Sequence, residues 1–448
     1  MSGAMKIHTS YTVFIRGQLL DDNLCGPVSS DLMNRTAQLC LSVLKFCCRV
    51  FLEHWDELKP LKSLERKSAA EALIHTTKHH DAQYPEFDVR FHNLPSGVRR
   101  AIRNDALGKV SSYVSNHKNW EALKPSDRGA EPTLGLPSRY QLTFYKSERK
   151  TEDLKRGQIL LKLYNGKTWE WYTFLLKPSD ARYLAHMAER HTMLSPVVEK
   201  VRGEYRIRFC FEDKRELVSD EDKLSYRILA VDLGINAAAT WSVMTADGTV
   251  HARGVLHARA EEDRLSHILN RVRKYQRCKK HPKSIYRFVR HANRALSICT
   301  AKAIMAVAEL YSVDCIVFEH LDKTGNIKGK LASRIHHWRA CDVQKRVETM
   351  AHRDGMRISR VCAWGTSKLA FDGSGKVVRD KHNHSICTFT NGKQYNCDLS
   401  ASYNIGARFF LREWKKIYPD LEIPATPQRT LSTLYDVRNQ VQHKEAAA

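Results

Sequence analysis

The sequence predicts a multidomain α/β protein, and three observations support this fold class. The chain has 448 residues, which is about three domains at roughly 100–200 residues each. Its hydrophobic fraction of 42% is typical of a globular protein. Helical patterns give way to strand-like runs, and the second half of the chain then alternates strands with helices.

The charge balance predicts the kind of partner. The chain carries 73 Lys and Arg residues against 49 Asp and Glu residues, a formal net charge of +24. Such an excess favours polyanions, and nucleic acid in particular. A membrane surface is the weaker alternative, because Lys45 and Arg49 interrupt the most apolar stretch, 39–52. We therefore expect no membrane association.

The cysteines predict the redox compartment. Twelve cysteines are scattered along the chain without the spacing of a disulfide framework. The N-terminal residues show no pattern of a secretory signal. We therefore expect reduced thiols and a cytoplasmic location.

The first half of the chain predicts a helical lobe combined with a small β domain. Strand-like runs lie on both sides of three helical segments, and prolines and glycines collect in a linker at 124–137. We predict a β-barrel domain over 5–30 and 136–225 and a helical lobe over 31–125. The predicted helices are 31–58, 63–79 and 97–122, and the predicted strands are 6–19, 140–145, 158–164, 168–176 and 204–211.

The second half predicts a mixed α/β sheet covered by helices. Three strands joined by short turns precede strands that alternate with helices, which is the order expected of an RNase H-like domain. We assign this domain to 226–363 and 398–440, with an insertion over 364–397. The predicted strands are 227–233, 240–245, 249–256, 315–319 and 357–362, and the predicted helices are 261–311, 336–352 and one that begins near Asp398.

Three acidic residues stand on elements of this predicted sheet. Asp232 lies inside an apolar strand, Glu319 ends another, and Asp398 opens the last helix. An ionised carboxylate in such a strand costs several kcal/mol unless it is paired or binds a metal. Each acid alone is most simply a cap or a salt-bridge partner. Together they lie on elements that converge at one end of an RNase H-like sheet, which predicts a shared site.

Three carboxylates in one place predict a divalent metal site. Mutual repulsion raises their pKa values, and hard oxygen ligands suit Mg²⁺ or Mn²⁺ better than zinc. Two such ions roughly 4 Å apart can activate a water and stabilise the leaving 3′-oxygen in phosphodiester cleavage. We therefore predict that Asp232, Glu319 and Asp398 are the catalytic residues and the Mg²⁺ ligands.

Part of the positive charge is concentrated between two acid-bearing strands. From Arg264 to Lys302 the chain has twelve Lys or Arg residues and no acidic residue. Such a run is often only a solvated helix face, but without acids it cannot form ion pairs along its own helix. We predict that it contacts the nucleic-acid backbone, while Tyr275, Tyr286 and Phe288 are candidates for stacking on bases. The candidate cations are Arg271, Arg273, Lys274, Arg277, Lys279, Lys280, Lys283, Arg287, Arg290 and Arg294, with Arg99, Arg100 and Arg103 in the helical lobe.

Five stretches of the second half resemble one known family. They are 230–236, 316–321, 337–355 (which opens with His337 and Trp338), 364–368 and 398–405. In order and spacing they resemble the RuvC nuclease domain of the transposon-encoded TnpB family and of the compact type V CRISPR effectors. The resemblance covers about 227–412, and the stretch 94–106 more weakly resembles the helical lobe of the same family.

The resemblance implies a function and its partners. It implies an RNA-guided DNA endonuclease in which Asp232, Glu319 and Asp398 match the three catalytic acids of the family. It also implies that a guide RNA pairs with one strand of a double-stranded DNA target, and that the helical lobe and a wedge-like barrel hold the heteroduplex. A prokaryotic cytoplasm is the expected location.

The insertion at 364–397 departs from the family pattern. The family usually carries a zinc ribbon with two Cys-x-x-Cys pairs there, whereas this chain has only Cys387 and Cys397, with His382 and His384 nearby. Structural zinc needs four ligands, typically in closely spaced pairs. We therefore predict a hairpin that turns at 391–392 and binds no zinc.

Two other functions stay open. One is a guided DNA-binding protein that acts by occupancy with little cleavage, and the other is a guide-free RNase H-like transposase or resolvase. RNA bound to the purified protein would separate the guided functions from the unguided one. The sequence leaves open the oligomeric state and whether a transposon or a CRISPR locus encodes the chain.

Overall fold

The computed structural model describes residues 4–21, 24–234, 237–321, 339–380, 382–383 and 385–447. The chain forms two compact units. Residues 8–213 make up the first unit, and residues from 214 onward, with the N-terminal residues up to Ile7, make up the second. Within the described residues, every helix is too short or too polar to span a lipid bilayer.

The N-terminal part of the chain places a helical region between two sets of strands, as the sequence predicts. Strands and helices up to residue 215 are β1 (Met5–Phe14), β2 (Gly17–Asp21), β3 (Leu24–Gly26), α1 (Ser30–Glu53), α2 (Trp55–Leu58), α3 (Ser63–Ile74), α4 (Glu86–Arg90), α5 (Ser96–Glu121), β4 (Leu142–Thr143), β5 (Arg149–Lys150), β6 (Gln158–Tyr164), β7 (Trp169–Leu175), α6 (Pro178–Arg190), β8 (Thr192–Met193), β9 (Val197–Val201) and β10 (Glu204–Arg215).

The strands of the first unit form two five-stranded sheets. One has the order β1-β10-β9-β4, with β8 also paired to β10, and the other has the order β3-β2-β7-β6-β5. The short connection between β1 and β2 joins them: the amide of Ile15 donates to the carbonyl of Tyr205, and the amide of Arg16 donates to that of Leu175. The strands that the sequence assigns to one small barrel are thus divided between two sheets that share this connection.

Helix α5 begins against a buried carboxylate. Glu148, whose exposed fraction is 2%, accepts a hydrogen bond from the amide of Gly97 in the first turn of α5 (3.2 Å). The first amides of a helix lack partners within the helix, so a negative charge there is stabilising. A Cβ at position 97 would overlap the Glu148 carboxylate. Gly97, in the stretch 94–106, therefore leaves the space in which the Glu148 carboxylate packs.

The second unit contains the mixed α/β sheet that the sequence predicts. Its elements are β11 (Ile228–Asp232), β12 (Ala239–Met244), β13 (Val250–Leu256), α7 (Arg259–Arg277), α8 (Lys283–Leu310), β14 (Cys315–His320), α9 (Ala340–Arg353), β15 (Arg357–Cys362), β16 (Val378–Arg379), β17 (Ile386–Thr388), β18 (Gln394–Asn396), α10 (Cys397–Ile417) and α11 (Leu431–Ala447).

The main sheet has the strand order β13-β12-β11-β14-β15. The first three strands pair antiparallel, and β14 and β15 run parallel to β11. Ile228 and Ala230 pack with α10 and α11 on one face, while Leu229 and Val231 pack with α8 and α9 on the other. Because β11, β14 and β15 are parallel, their carboxyl ends meet at one edge of the sheet.

Two predicted helices differ from the observed ones. The helix predicted over 261–311 is broken into α7 and α8, because Lys279 has a φ of 53° and Pro282 has no amide hydrogen to continue a helix. The two helices pack against each other through a small apolar core that includes Val272, Ile285 and Val289. The helix predicted over 336–352 is described only from Ala340, so the motif residues at 337–338 lie outside the described residues.

We expect Gly97→Ala to destabilise the first unit by about 2–3 kcal/mol. The added methyl group would displace the buried Glu148 carboxylate and break its hydrogen bond with the amide of residue 97. Thermal unfolding followed by circular dichroism measures the loss as a lower melting temperature. Gly108→Ala in the same helix is the matched control. A Cβ there meets nothing within 4 Å, and alanine should stabilise the helix by about 0.5–1 kcal/mol. Equal melting temperatures of the two variants would contradict this account.

Candidate active site and nucleic-acid interface

The carboxyl edge of the main sheet brings Asp232 and Glu319 to neighbouring positions. Asp232 is the last residue of β11, and Glu319 is the penultimate residue of the adjacent strand β14. The register pairs Val231 with Phe318, so the two acids follow at the next level of the sheet. Four fully buried strand residues precede each acid, whereas the acids themselves are half-buried.

Helix α10 carries the third acid toward this edge. The side chain of Asn396 caps the helix by accepting hydrogen bonds from the amides of Asp398 (3.0 Å) and Leu399 (2.9 Å), which places Asp398 in the first turn. Gly406 lets the helix approach the sheet closely, since a Cβ there would lie 3.3 Å from the Cβ of Ala230 in β11. Strands β11 and β14 and the capped start of α10 together bring the three acids close enough for their charges to interact.

Burial and mutual repulsion set the pKa values of these acids. Burial raises the pKa of Asp232 well above its usual range, and the nearby charges of Glu319 and Asp398 raise it further. Burial also raises the pKa of Glu319 and of Asp398. The charge of Arg379, in β16, opposes the shifts at Asp232 and Asp398 but does not cancel them. The sequence-based prediction of raised pKa values agrees with this arrangement.

The loop after β15 holds one of the acids in place. The hydroxyl of Thr366 donates to Oε1 of Glu319. The loop is tied to α10 by two buried side chains. Asn404 donates to the carbonyls of Thr366 and Leu369 (both 3.0 Å), and Arg408 donates to those of Cys362 (2.6 Å) and Trp364 (2.9 Å). Sequence reasoning missed the roles of Thr366, Asn404 and Arg408, although an arginine inside the apolar run 405–411 is a usable signal.

The donor set fits a hard divalent cation. It consists of carboxylate oxygens, which Mg²⁺ and Mn²⁺ prefer, and no described cation neutralises all three acids. Among the described residues, no three His, Cys, Asp or Glu side chains lie close enough together to hold one ion directly. Mg²⁺ usually keeps several of its waters, so binding here would involve bridging waters or a small approach of the carboxylates.

The insertion at 364–397 forms a small three-stranded sheet of order β16-β17-β18. β17 and β18 make a hairpin whose turn contains Gly392, with a φ of 82°, as predicted for 391–392. Cys387 and Cys397 are buried in the apolar core of this sheet with Phe389. His382 is exposed and His384 lies outside the described residues, so the absence of zinc stays a prediction.

The ten candidate cations of α7, α8 and their connection lie on the surface of one helical hairpin, which we call the basic hairpin (259–310). All ten side chains are exposed, and none makes an ion pair with a described residue. Arg273 donates to Asn270 (3.0 Å). Phe288 is 51% exposed and Tyr275 is 38% exposed on the same hairpin, whereas Tyr286 packs in its core. The hairpin is thus a surface of unpaired positive charge with two accessible aromatic rings.

The arginines of the helical lobe are a different case. The sequence predicts that Arg99, Arg100 and Arg103 together contact nucleic acid. Arg99 and Arg103 both donate to the carboxylate of Glu71, at 2.6 and 2.8 Å, and both are largely buried. Arg100 lies over the ring of Tyr145. A shared acid on α3 therefore pairs with two of these three arginines, and their contact with nucleic acid stays a prediction.

Two solved structures are similar to this chain over nearly its whole length. The Cas12f1–sgRNA–target DNA complex matches with a TM-score of 0.53 and 10% identity, over 96% of this chain and 98% of that one. The mini-RNA-guided endonuclease CRISPR-Cas_phi3 matches with a TM-score of 0.52 and 11% identity, over 91% of this chain and 92% of that one. The chain has the fold of the compact Cas12 effectors. At these identities the likeness concerns the fold alone.

Sequence comparison finds relatives of a smaller part of the chain. The model of the Aq_aa04 family matches residues 23–165. An uncharacterized protein, aq_aa04, from Aquifex aeolicus strain VF5 is 32% identical over 104 residues, which is 21% of this chain and 57% of that protein. The chain therefore spans little more than half the length of this relative. Neither description names an activity.

We expect Asp232→Asn to raise the melting temperature at pH 8 in the presence of a chelator. Burial and repulsion make the ionised form unfavourable in the folded state, so this cost is present above the raised pKa and disappears below about pH 4, the ordinary range of Asp. The difference between variant and parent should therefore shrink as the pH falls. Melting temperatures from pH 4 to pH 8 measure it.

Asp247→Asn is the matched control with the opposite sign. Burial alone would raise the pKa of Asp247, but hydrogen bonds from Thr245 and Thr249 lower it to about 2. Its carboxylate therefore stabilises the fold above about pH 4, and this contribution is lost as the pH falls toward 2. The control variant should melt at a lower temperature at pH 8. Two variants that change in the same direction would show that repulsion among the three acids is not the cause.

Proposed function

We propose that this protein is an RNA-guided, metal-dependent DNA endonuclease whose second unit holds an RNase H-like RuvC nuclease domain. One observation carries the proposal: Asp232, Glu319 and Asp398 converge at the carboxyl edge of the main sheet, and no cation among the described residues neutralises all three. Buried acids with a purely structural role are normally paired. A cluster that stays unfavourable without a counter-ion is suited to binding divalent cations.

The proposed reaction is the hydrolysis of a phosphodiester bond. Mg²⁺ or Mn²⁺ held by the three carboxylates would supply activation of a water and stabilisation of the leaving 3′-oxygen. Two of the acids stand on adjacent strands and the third on a capped helix, so the ligands are held on rigid elements. Thr366 fixes the orientation of the Glu319 carboxylate, and Asn404 and Arg408 hold the loop that carries Thr366.

The proposed substrate and guide follow from the charge distribution and the fold. The basic hairpin offers exposed cations within the same unit as the acids, which suits contact with phosphates. A guide RNA and a double-stranded DNA target are proposed because Cas12f1, which shares the fold, is described in complex with sgRNA and target DNA. We propose that the segments 5–30 and 136–225 form a wedge-like domain, that 31–125 forms the recognition lobe, and that 226–363 and 398–440 form the nuclease domain around the insertion 364–397.

The test is guided cleavage. We expect the full chain to copurify with RNA and, when loaded with a guide, to cut matched double-stranded DNA in Mg²⁺. Asp232→Asn should abolish cutting, with a loss of at least about 10³-fold, because it removes a metal ligand, while binding of the target changes little. Glu309→Gln, an exposed acid at the end of α8, is the control and should cut normally. Cleavage products and electrophoretic mobility shifts give the two readouts.

Three results would contradict this proposal in different ways. Cutting that persists in Asp232→Asn would exclude the acid cluster as the active site. RNA-dependent binding without any cutting would favour a protein that acts by occupancy. Cutting that needs no RNA would favour a guide-free transposase or resolvase.

We expect the triple variant Arg287→Gln, Arg290→Gln, Arg294→Gln to weaken nucleic-acid binding equally for all sequences. Loss of three phosphate contacts should also reduce the slope of log K against log salt by up to about 2.7, at about 0.9 per contact with duplex DNA. Binding measured from 50 to 300 mM salt tests this. The control is Lys155→Gln with Arg156→Gln, two exposed cations that have carboxylate partners in Glu189 and Asp153. An unchanged slope in the triple variant would exclude the hairpin as a phosphate-binding surface.

A further inference from the structure

A tryptophan is exposed on the loop that follows β15. Trp364 lies two residues beyond the end of the strand and is 65% exposed. Its side chain makes no hydrogen bond or ring contact with a described residue. Single apolar residues are common at protein surfaces and usually need no explanation. The position of this ring and the support of its backbone, however, indicate a function.

The register of the main sheet places Trp364 near the acids. β15 pairs in parallel with β14, and Val361 lies opposite Glu319. The carboxyl ends of parallel strands meet at one edge of a sheet, so the chain leaves β15 at the edge where Asp232 ends β11. In the proposed reaction the scissile phosphate lies at this edge. A strand bound to the three acids therefore lies close to the loop that carries Trp364.

Thr366 links this loop directly to one of the acids. Its hydroxyl donates to Glu319, and its amide donates to the carbonyl of Ala363 (3.4 Å) in a tight turn. Consecutive Cα atoms are about 3.8 Å apart, so those of Trp364 and Thr366 are separated by at most about 7.6 Å. A stacked strand rises about 3.4 Å for each nucleotide. The backbone of Trp364 is thus within a few nucleotides of a phosphate held by the acids.

The backbone of Trp364 is held firmly while its ring is free. Arg408, which is 2% exposed, donates to the carbonyls of Cys362 (2.6 Å) and Trp364 (2.9 Å). Gly365 follows with a φ of 83°, and a Cβ there would lie 3.2 Å from the carbonyl oxygen of Pro427. A ring on a fixed backbone loses little conformational freedom when a ligand binds, so more of the contact energy remains as affinity.

The ring fits an unpaired base better than a protein partner. An indole has two flat apolar faces and one N–H donor at its edge. Bases of every kind stack on such faces, because each base has a π-face of its own. A stable protein interface instead buries about 800 Å² on each partner. The residues at 363 and 365–367 are alanine, glycine, threonine and serine, which add little apolar area to the ring.

We infer that Trp364 stacks on an unpaired base of the bound DNA strand, within a few nucleotides of the scissile phosphate. The inference rests on the proposed function. One loop then acts on both the metal ligands and the substrate, since Thr366 orients the Glu319 carboxylate and Trp364 holds the strand. Stacking on a fixed ring sets the register of the strand against the acids, which contributes to the positioning of the bond as well as to affinity.

The first experiment combines a residue change with the removal of a base. Single-turnover cleavage by the guide-loaded protein is measured on targets in which successive nucleotides around the cut site are replaced by an abasic analogue. One position should lower the rate of the parent protein about 10-fold. Trp364→Leu should lower the rate on the intact target by a similar factor and lose nothing further from that abasic position. Trp364→Phe keeps a ring and should keep most of the rate. Additive losses would overturn the inference.

Leu310→Ala is the matched control for this experiment. Leu310 is 74% exposed, but it ends α8 before β14 begins and so lies away from the carboxyl edge. The control variant should cut at the rate of the parent and respond to the abasic position as the parent does. A loss as large as that of Trp364→Leu would overturn the inference, because the effect would then not depend on a ring near the acids.

Tryptophan fluorescence tests the contact without a guide and without cutting. An oligonucleotide of deoxythymidine is titrated into the full chain with Ca²⁺ in place of Mg²⁺, and every register of this strand offers the same base. The chain has eight tryptophans, so the contribution of Trp364 is the difference between the parent and Trp364→Leu. Quenching should be larger in the parent, whether or not guided cleavage is ever observed. Equal quenching in both proteins would overturn the inference even where guided cleavage is observed, and it is the result expected if the ring binds a protein partner.

Thermal stability separates stacking from a role in packing. Since the ring is exposed and contacts no described ring, Trp364→Leu should leave the melting temperature within about 1 °C of the parent. A clearly lower melting temperature, with slower cutting of every target regardless of abasic position, would indicate that Trp364 supports the loop and would contradict the role in stacking.

Discussion

The arrangement of the second unit depends on burying α10 against the sheet. Fourteen of its 21 residues are buried, so the helix needs partners on nearly every side. Two of its buried polar residues, Asn404 and Arg408, find these partners in the carbonyls of the loop after β15. The same contacts that satisfy the helix therefore place Thr366 on Glu319, and the helix cap places Asp398. The packing of one helix thus helps to position two of the three acids, while strand β11 places Asp232.

Charge is separated within the second unit. The acids lie at the edge of the sheet, where burial makes their ionised forms unfavourable. The exposed cations of the basic hairpin have no acidic partner in the part of the chain that the structure describes. A structure selected for stability alone would pair these charges. In the helical lobe such pairing does occur, since Glu71 holds Arg99 and Arg103. This contrast between the two regions agrees with the proposal that the second unit binds nucleic acid and metal ions.

The sequence correctly predicts those parts of the structure that follow from local patterns. Strands 158–164 and 357–362 were predicted to the residue, because alternation or a short apolar run with clear ends defines them. It failed where a contact from a distant residue decides the outcome. Glu148 at the start of α5, the partner of Arg99 and the loop contacts of Arg408 all join residues far apart in sequence. Helix α6 was missed although Pro178 marks its start and the buried residues Ala181, Leu184 and Ala185 recur at helical spacing.

Two features that the sequence predicts do not serve the stability of the isolated chain. The carboxylate cluster costs free energy in the isolated chain, and the ten candidate cations of the basic hairpin have no acidic partner among the described residues. Natural proteins keep such conflicts mainly at functional sites, where a ligand removes the cost on binding. Metal ions and phosphates are the two ligands that would suit these two features, and one nucleic-acid strand with its bound cations would bring both of them together.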